Sequence, residues 1–296
     1  MVRGIDISVV VPFYNAERYI SACIKALLSQ SYPRYRYEII MVDNNSTDGS
    51  PEIVKLYPSI KLLSETKQGA YAARNTGVSH SKGEIIAFTD PDCIPSPSWL
   101  ERISTVMASP EIKGVIGYRQ PASDSPFLAK IWAFETAKEN YIFSGEAKEL
   151  YYGHNNNMAI KKDIFDKLGP FIERKRGSDV VFIRRVVEEY DCCSIAYCPD
   201  IIVRHMEIDS LLKHFYKMFI YGKSRQKFKN IIYCRSLNSA EKIKIFQAVT
   251  INQKHKPIKS MTLFLLLAIG TLCWNLGGLA SHLAPQKESI RPHPSA

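Results

Sequence analysis

Hydrophobic positions in the first hundred residues alternate between two periods. Ile7–Val11 is a continuous apolar run rich in β-branched residues, the pattern of a parallel strand buried on both faces. In Ala16–Gln30 the apolar positions Ile20, Ile24, Leu27 and Leu28 fall at helical spacing. Strands are predicted again over Tyr37–Val42, Ile60–Leu63 and Glu84–Thr89, with a short helix opening at Pro51 and another over Ala70–Val78. Strands alternating with helices define an α/β fold, a Rossmann-like, mostly parallel sheet flanked by helices. Ligands of such sheets bind beyond the carboxyl ends of the strands. Asp43 and Asp90 both stand at such ends.

The second half is less regular. Strands are expected over Val115–Arg119, Asn155–Ile160 and Ile201–Val203, and helices over Phe127–Phe143, Lys162–Leu168 and Asp179–Tyr190. A basic amphipathic helix is expected over Ser210–Lys229. Met261–Ala280 is different: uncharged, with Asn275 its one strongly polar residue, and long enough for the ~20 apolar residues that a spanning helix needs. It is read as a single transmembrane helix. The resulting division is a catalytic domain over 1–230, a basic juxtamembrane segment over 231–260, the span over 261–280 and a short tail over 281–296.

Charge supports this division. Leu211–Ser260 carries twelve Lys and Arg against the single acid Glu241, whereas the rest of this +10 chain is close to neutral. The basic character therefore belongs to one late segment, and the catalytic part is no nucleic-acid binder. Lys254, Lys256 and Lys259 precede the span, whereas Lys287 and Arg291 follow at a greater distance. That asymmetry puts the domain on the cytosolic side of the cell membrane. The seven cysteines show no paired zinc spacing and read as reduced thiols. The first apolar run is too short for a signal peptide, so the sequons at Asn44 and Asn45 are chance.

Candidate chemistry gathers at the strand ends. Asp90 and Asp92 form a D-x-D pair able to face one hard cation, Mn2+ or Mg2+, that bridges diphosphate oxygens; a solvated turn is the alternative. Asp43 either accepts from a nucleobase N–H or caps its own loop. Arg74 suits a phosphate or a surface ion pair. Asp179, at a helix start, is either a general base or an acid held by the helix dipole. His205 is a metal or diphosphate contact, or a structural histidine.

Together these segments resemble glycosyltransferase family 2. The resemblance lies in Ser8–Asn15, Val42–Gly49, the G-x-x-x-A-R-N-x-G run Gly69–Gly77, and Phe88–Cys93. Asn157–Lys162 and the stretch from His205 to Tyr221-Gly222-Lys223 add to it. The resemblance implies a GT-A fold and an inverting, metal-dependent enzyme. By it, Pro12, Tyr14, Asp43, Arg74 and Asp90 bind the nucleotide-sugar, Asp92 and His205 hold the metal, and Asn157 and Lys161 lie on the acceptor side. Asp179 becomes the catalytic base, with Ser178-Asp179 standing where the family usually has Glu-Asp.

The absence of Q-x-x-R-W speaks against a processive polymer synthase, and that of G-x-G-T-R against a nucleotidyltransferase. The expected donor is a UDP- or dTDP-sugar, with a GDP-sugar possible. The expected acceptor is a lipid-linked sugar or membrane glycan. Alternatives are a polyprenyl-phosphate sugar synthase, whose anionic acceptor needs no base, or a nucleotide-binding scaffold without turnover.

Overall fold

The computed structural model describes residues 4–225, 231, 233, 235–252 and 257–283. Cys234, Lys254, Lys256, the end of the expected basic helix beyond Arg225 and the tail bearing Lys287 and Arg291 lie outside the described residues.

β1 (Ile7–Phe13), β2 (Tyr37–Asp43), β3 (Lys61–Ser64) and β4 (Ile85–Phe88) pair in parallel. They are joined through α1 (Glu17–Leu28), α2 (Ser50–Lys55) and α3 (Ala70–Ser79). The chain continues through β5 (Cys93–Pro95), α4 (Trp99–Met107), β6 (Gly114–Pro121) and α5 (Pro126–Phe143). β7 (Met158–Lys161), α6 (Lys162–Leu168), α7 (Ser178–Tyr190) and β8 (Ile195–His205) complete one sheet of order β3-β2-β1-β4-β7-β6-β8-β5. The expected parallel order holds from β3 to β4, and beyond β4 the sheet becomes mixed. β7 runs antiparallel to both β4 and β6, and β5 antiparallel to β8. The reason is local: β7 is entered from the loop at the carboxyl edge of β4, so its direction must reverse.

Alternate residues of β1 feed two cores. Val9 and Val11 face Ile20, Ile24 and Leu27 of α1 and Trp99, Leu100 and Ile103 of α4. Val10 faces the other layer, in which Phe88, Phe165, Phe171 and Phe182 pack ring against ring. Each buried aromatic is worth about 3–5 kcal/mol against alanine. At Gly77 an added Cβ would lie 2.3 Å from Val10 Cγ1, so only glycine lets α3 approach β1 this closely.

After β8 come α8 (Leu211–Arg225), α9 (Ser239–Asn252) and α10 (Pro257–Leu283). Among the described helices α10 is long and apolar enough to cross a membrane, over Ile258–Ser281, with a mean hydropathy of 1.9. Leu263 and Leu266 are buried against α5, α8 and α9, whereas Phe264, Leu265, Ile269, Leu272, Leu276 and Leu279 are exposed. α8 runs alongside α10 in the same direction. Their backbones meet at Gly222 against Trp274 and at Gly277 against Phe219, where an added Cβ would lie 1.9 and 2.0 Å from the facing carbonyl oxygens.

Candidate active site

The order β2-β1-β4 sets three strand ends side by side. Phe13 is in register with Asp43, and Thr89-Asp90-Pro91-Asp92 leaves β4 on the same edge. Pro12 is buried in β1, and Tyr14 just beyond it is 52% exposed. Asp43 Oδ1 accepts from Ser46 N at 3.1 Å, a loop-capping bond that uses one of its two carboxylate oxygens. Asn44, 3% exposed, clamps the facing loop. Its amide donates to Glu65 O and Lys67 O, and its oxygen accepts from Gly69 N at 2.7 Å. Gly69, at φ 148, then turns the chain into α3.

α3 carries Tyr71 and Arg74 on one face, three positions apart. Arg74, 5% exposed, pairs with Asp90 Oδ1 at 2.5 Å, and its guanidinium lies 5.4 Å from the Tyr71 ring centroid. The Tyr71 hydroxyl donates to Asp179 Oδ1 at 2.8 Å. Burial, reinforced by the Asp179 charge, drives the Tyr71 pKa far above its ordinary value, so it remains a donor. Asp179 stands in the first turn of α7, which left-handed Gly177 (φ 82) introduces. Asp90, Arg74, Tyr71 and Asp179 thus form one connected line along the strand-end edge.

The second cluster arises from sheet register. β5 pairs with β8 so that Cys93 faces His205, which brings Asp92 and His205 to 3.7 Å (Oδ2 to Nε2). Met206 N donates to Asp92 O at 2.8 Å. Burial, with help from the Lys217 charge, lowers the His205 pKa to about 4, so its imidazole is neutral and able to ligate. Its Nδ1 is buried with no hydrogen-bond partner. Burial raises the Asp92 carboxyl above its usual range, a bias a divalent cation would reverse. Cys93 also lies within this cluster, but burial keeps its thiol protonated, the wrong form for a ligand. The oxygen and nitrogen donors of Asp92 and His205 suit a divalent cation such as Mn2+ or Mg2+.

Two expected acceptor-side residues are not brought to this edge. Asn157 is fully buried and patches a break in the sheet. The β6–β8 register shifts between Gly117 and Tyr118. There the Asn157 amide donates to Tyr118 O and Ile201 O at 2.8 Å each, while its oxygen accepts from Trp99 Nε1 at 2.9 Å. Lys161 is in register with Ile85 at the opposite end of β4 and donates to Ser109 O at 3.0 Å. At ~3.3 Å per residue it is a full strand length from Asp90.

The segment Tyr152–Asn156 borders Asp179 and the end of β4 instead. A Cβ at Gly153 would lie 3.1 Å from Asp179 O, and Asn156 O accepts from the Thr89 hydroxyl at 3.1 Å. His154 Nε2 meets Glu139 Oε1 at 2.8 Å, and Arg119 meets the same oxygen at 3.0 Å. Burial pushes Glu139 up, yet the His154 hydrogen bond and the Arg119 charge outweigh it and hold the carboxyl well below its ordinary range. Burial and Arg119 together lower His154. Asn155 is buried with both amide atoms unpartnered. Tyr71, Asn44, Glu139 and His154 were not singled out from the sequence. Only Tyr71 had a signal, its place one helical turn before Arg74.

A sequence model described as Glycosyl transferase family 2 matches residues 8–169. Glycosyltransferase AglE of Haloferax volcanii is 33% identical over 236 residues, 74% of this chain and 72% of AglE. A second relative, from Methanococcus voltae, is dolichyl N-acetyl-alpha-D-glucosaminyl phosphate 3-beta-D-2,3-diacetamido-2,3-dideoxy-beta-D-glucuronosyltransferase. It is 25% identical over 243 residues, 74% of this chain and 72% of that one. Among solved structures, mannosyltransferase PcManGT from Pyrobaculum calidifontis, in complex with GDP-Man and Mn2+, is similar with a TM-score of 0.60 at 20% identity. The match covers 95% of this chain and 81% of that one. The chain belongs to glycosyltransferase family 2 and has its GT-A fold; it is a glycosyltransferase.

Proposed function

We propose that this glycosyltransferase moves a single sugar, with inversion, from a nucleoside-diphosphate sugar to a membrane-borne acceptor, a lipid-linked sugar or glycan. The observation that carries the reading is the line Asp90–Arg74–Tyr71–Asp179, which joins a donor-side carboxylate to a carboxylate on the acceptor flank. Asp179 takes the proton of the acceptor hydroxyl as that oxygen bonds to C1 of the sugar. The C1–O bond to the diphosphate breaks on the opposite face, and the nucleoside diphosphate leaves with the electron pair. Asp92 and His205 would hold a divalent cation, which when bound would offset the negative charge of the diphosphate.

The second oxygen of Asp43 accepts from the ring N–H of uracil or thymine, which adenine lacks on that edge; guanine also offers one. Pro12 and exposed Tyr14 stand at the neighbouring strand end and border the donor in this reading, with Asp90 on the ribose side. The unpartnered amide of Asn155 supplies hydrogen-bonding capacity of the kind a sugar hydroxyl satisfies.

The acceptor reading rests on α10, whose exposed apolar face suits lipid. The name of the Methanococcus voltae relative supports a lipid-linked acceptor. In this reading α10 crosses the cell membrane once, with the catalytic domain in the cytosol. The test is nucleoside diphosphate release from UDP-, dTDP-, GDP- and ADP-sugars with a membrane lipid extract as acceptor source. Extract-dependent release from a UDP- or dTDP-sugar is expected. Preference for an ADP-sugar would overturn the base assignment, and release indifferent to the extract would overturn the acceptor class.

A further inference from the structure

Lys217 lies on the inner side of α8, and its ammonium meets Glu207 Oε2 at 2.6 Å with its side chain only 21% exposed. Glu207 is two residues beyond His205, on the turn whose Met206 N–H holds the Asp92 carbonyl. A poorly exposed cation is therefore held at the rim of the Asp92–His205 cluster, by a carboxylate that is itself 51% exposed. The neighbouring Lys213 differs: it pairs with Asp209 on the outside, both about half exposed, and faces solvent. Arg74, another cation at this edge, is committed to Asp90.

We propose that Lys217 is a diphosphate-binding residue. It leaves Glu207 to pair with the phosphates of the donor and then of the departing nucleoside diphosphate, and Glu207 is its resting partner. The inference rests on the donor reading given above. An ion pair whose carboxylate is half exposed is held weakly, so a multiply charged diphosphate beside it displaces Glu207 easily. Lysine suits this exchange, as a point charge on a flexible stem. The backbone of α8 is seated against α10 through Gly222 and Gly277, so the apolar helix that meets the membrane also fixes the helix that delivers the cation.

The test is calorimetric titration of the full chain in detergent with UDP, dTDP, GDP and ADP, and with the matching monophosphates. Failure of the parent protein to bind any of these diphosphates would strike the donor reading itself. Where it binds one, Lys217→Ala should weaken that diphosphate about tenfold, the loss of one charge pair, and the monophosphate by less than about twofold. Lys217→Arg should restore most of the affinity, and Glu207→Gln, which frees the ammonium, should tighten the diphosphate. Equal losses for both nucleotides in Lys217→Ala, or weaker diphosphate binding in Glu207→Gln, would overturn the proposal. Glu207→Gln and Lys217→Arg decide the matter even where Lys217→Ala does not fold.

Discussion

The Tyr71 hydroxyl donates to Asp179 Oδ1 at 2.8 Å across 108 positions of sequence. The bond ties the carboxylate to α3, on which Tyr71 shares one face with Arg74. Asp179→Asn keeps the shape and removes the base, and should lower kcat by about 10²–10⁴. Tyr71→Phe removes only the orienting donor and should lower kcat about tenfold to a hundredfold. In both variants the KM for the nucleotide-sugar should change little. Steady-state kinetics check this; an Asp179→Asn enzyme of parental kcat would remove the base from the mechanism.

The Asp92–His205 pair predicts metal dependence. EDTA should abolish turnover, and added Mn2+ or Mg2+ should restore it. Asp92→Ala should both abolish turnover and weaken nucleotide-sugar binding in the presence of Mn2+. Undiminished activity of the parent protein in EDTA would exclude a metal.

Acid should destabilise the fold through Glu139 and His154. Glu139 is depressed below the ordinary carboxylate value, so its stabilisation is present above that value and fades as pH falls through its folded pKa. His154 is also depressed, so its neutral buried state contributes above about pH 6.5 and is lost on acidification. Glu139→Gln leaves Arg119 facing a neutral partner and should lower stability by about 3 kcal/mol near neutral pH. Below about pH 4.3, where an ordinary glutamate takes up its proton, its loss of Tm should be shallower than the parent's. A parental pH slope in the variant would contradict the assignment.

The crossing of α8 and α10 tolerates no Cβ at Gly277. Gly277→Ala should cost about 1–3 kcal/mol by forcing the helices apart, whereas Gly278→Ala, with nothing within 4 Å of the added atom, should be neutral. Thermal melts in detergent compare them, and equal melting temperatures would place the crossing elsewhere.

What the sequence made legible follows from range. Asp43 and Asp90 could be read because a buried strand and its end are local patterns. Asp92 could be read as half of a D-x-D, but its approach to His205 depends on β5 pairing with β8, and β5 is only Cys93–Pro95. β8 was expected only over Ile201–Val203, because Pro199-Asp200 looks like a boundary. It is instead a bulge inside one strand of Ile195–His205, and the same bulge explains Asn157. The residue was read with its motif as acceptor-facing, yet its amide satisfies carbonyls that the broken ladder leaves open. α4 and α9 were missed although Trp99, Leu100, Ile103 and Met107 carry a helical stripe. The Glu139–His154 contact joins a helix to a distant turn, and no local pattern reports such a pairing.

The central claim is single-step transfer with Asp179 as base on the face opposite the leaving diphosphate. Proton NMR of the glycosylated acceptor, comparing the anomeric coupling of the transferred sugar with that of the donor, tests it most directly. The account predicts the opposite anomeric configuration in the first product formed. A product that retains the donor's configuration would contradict it.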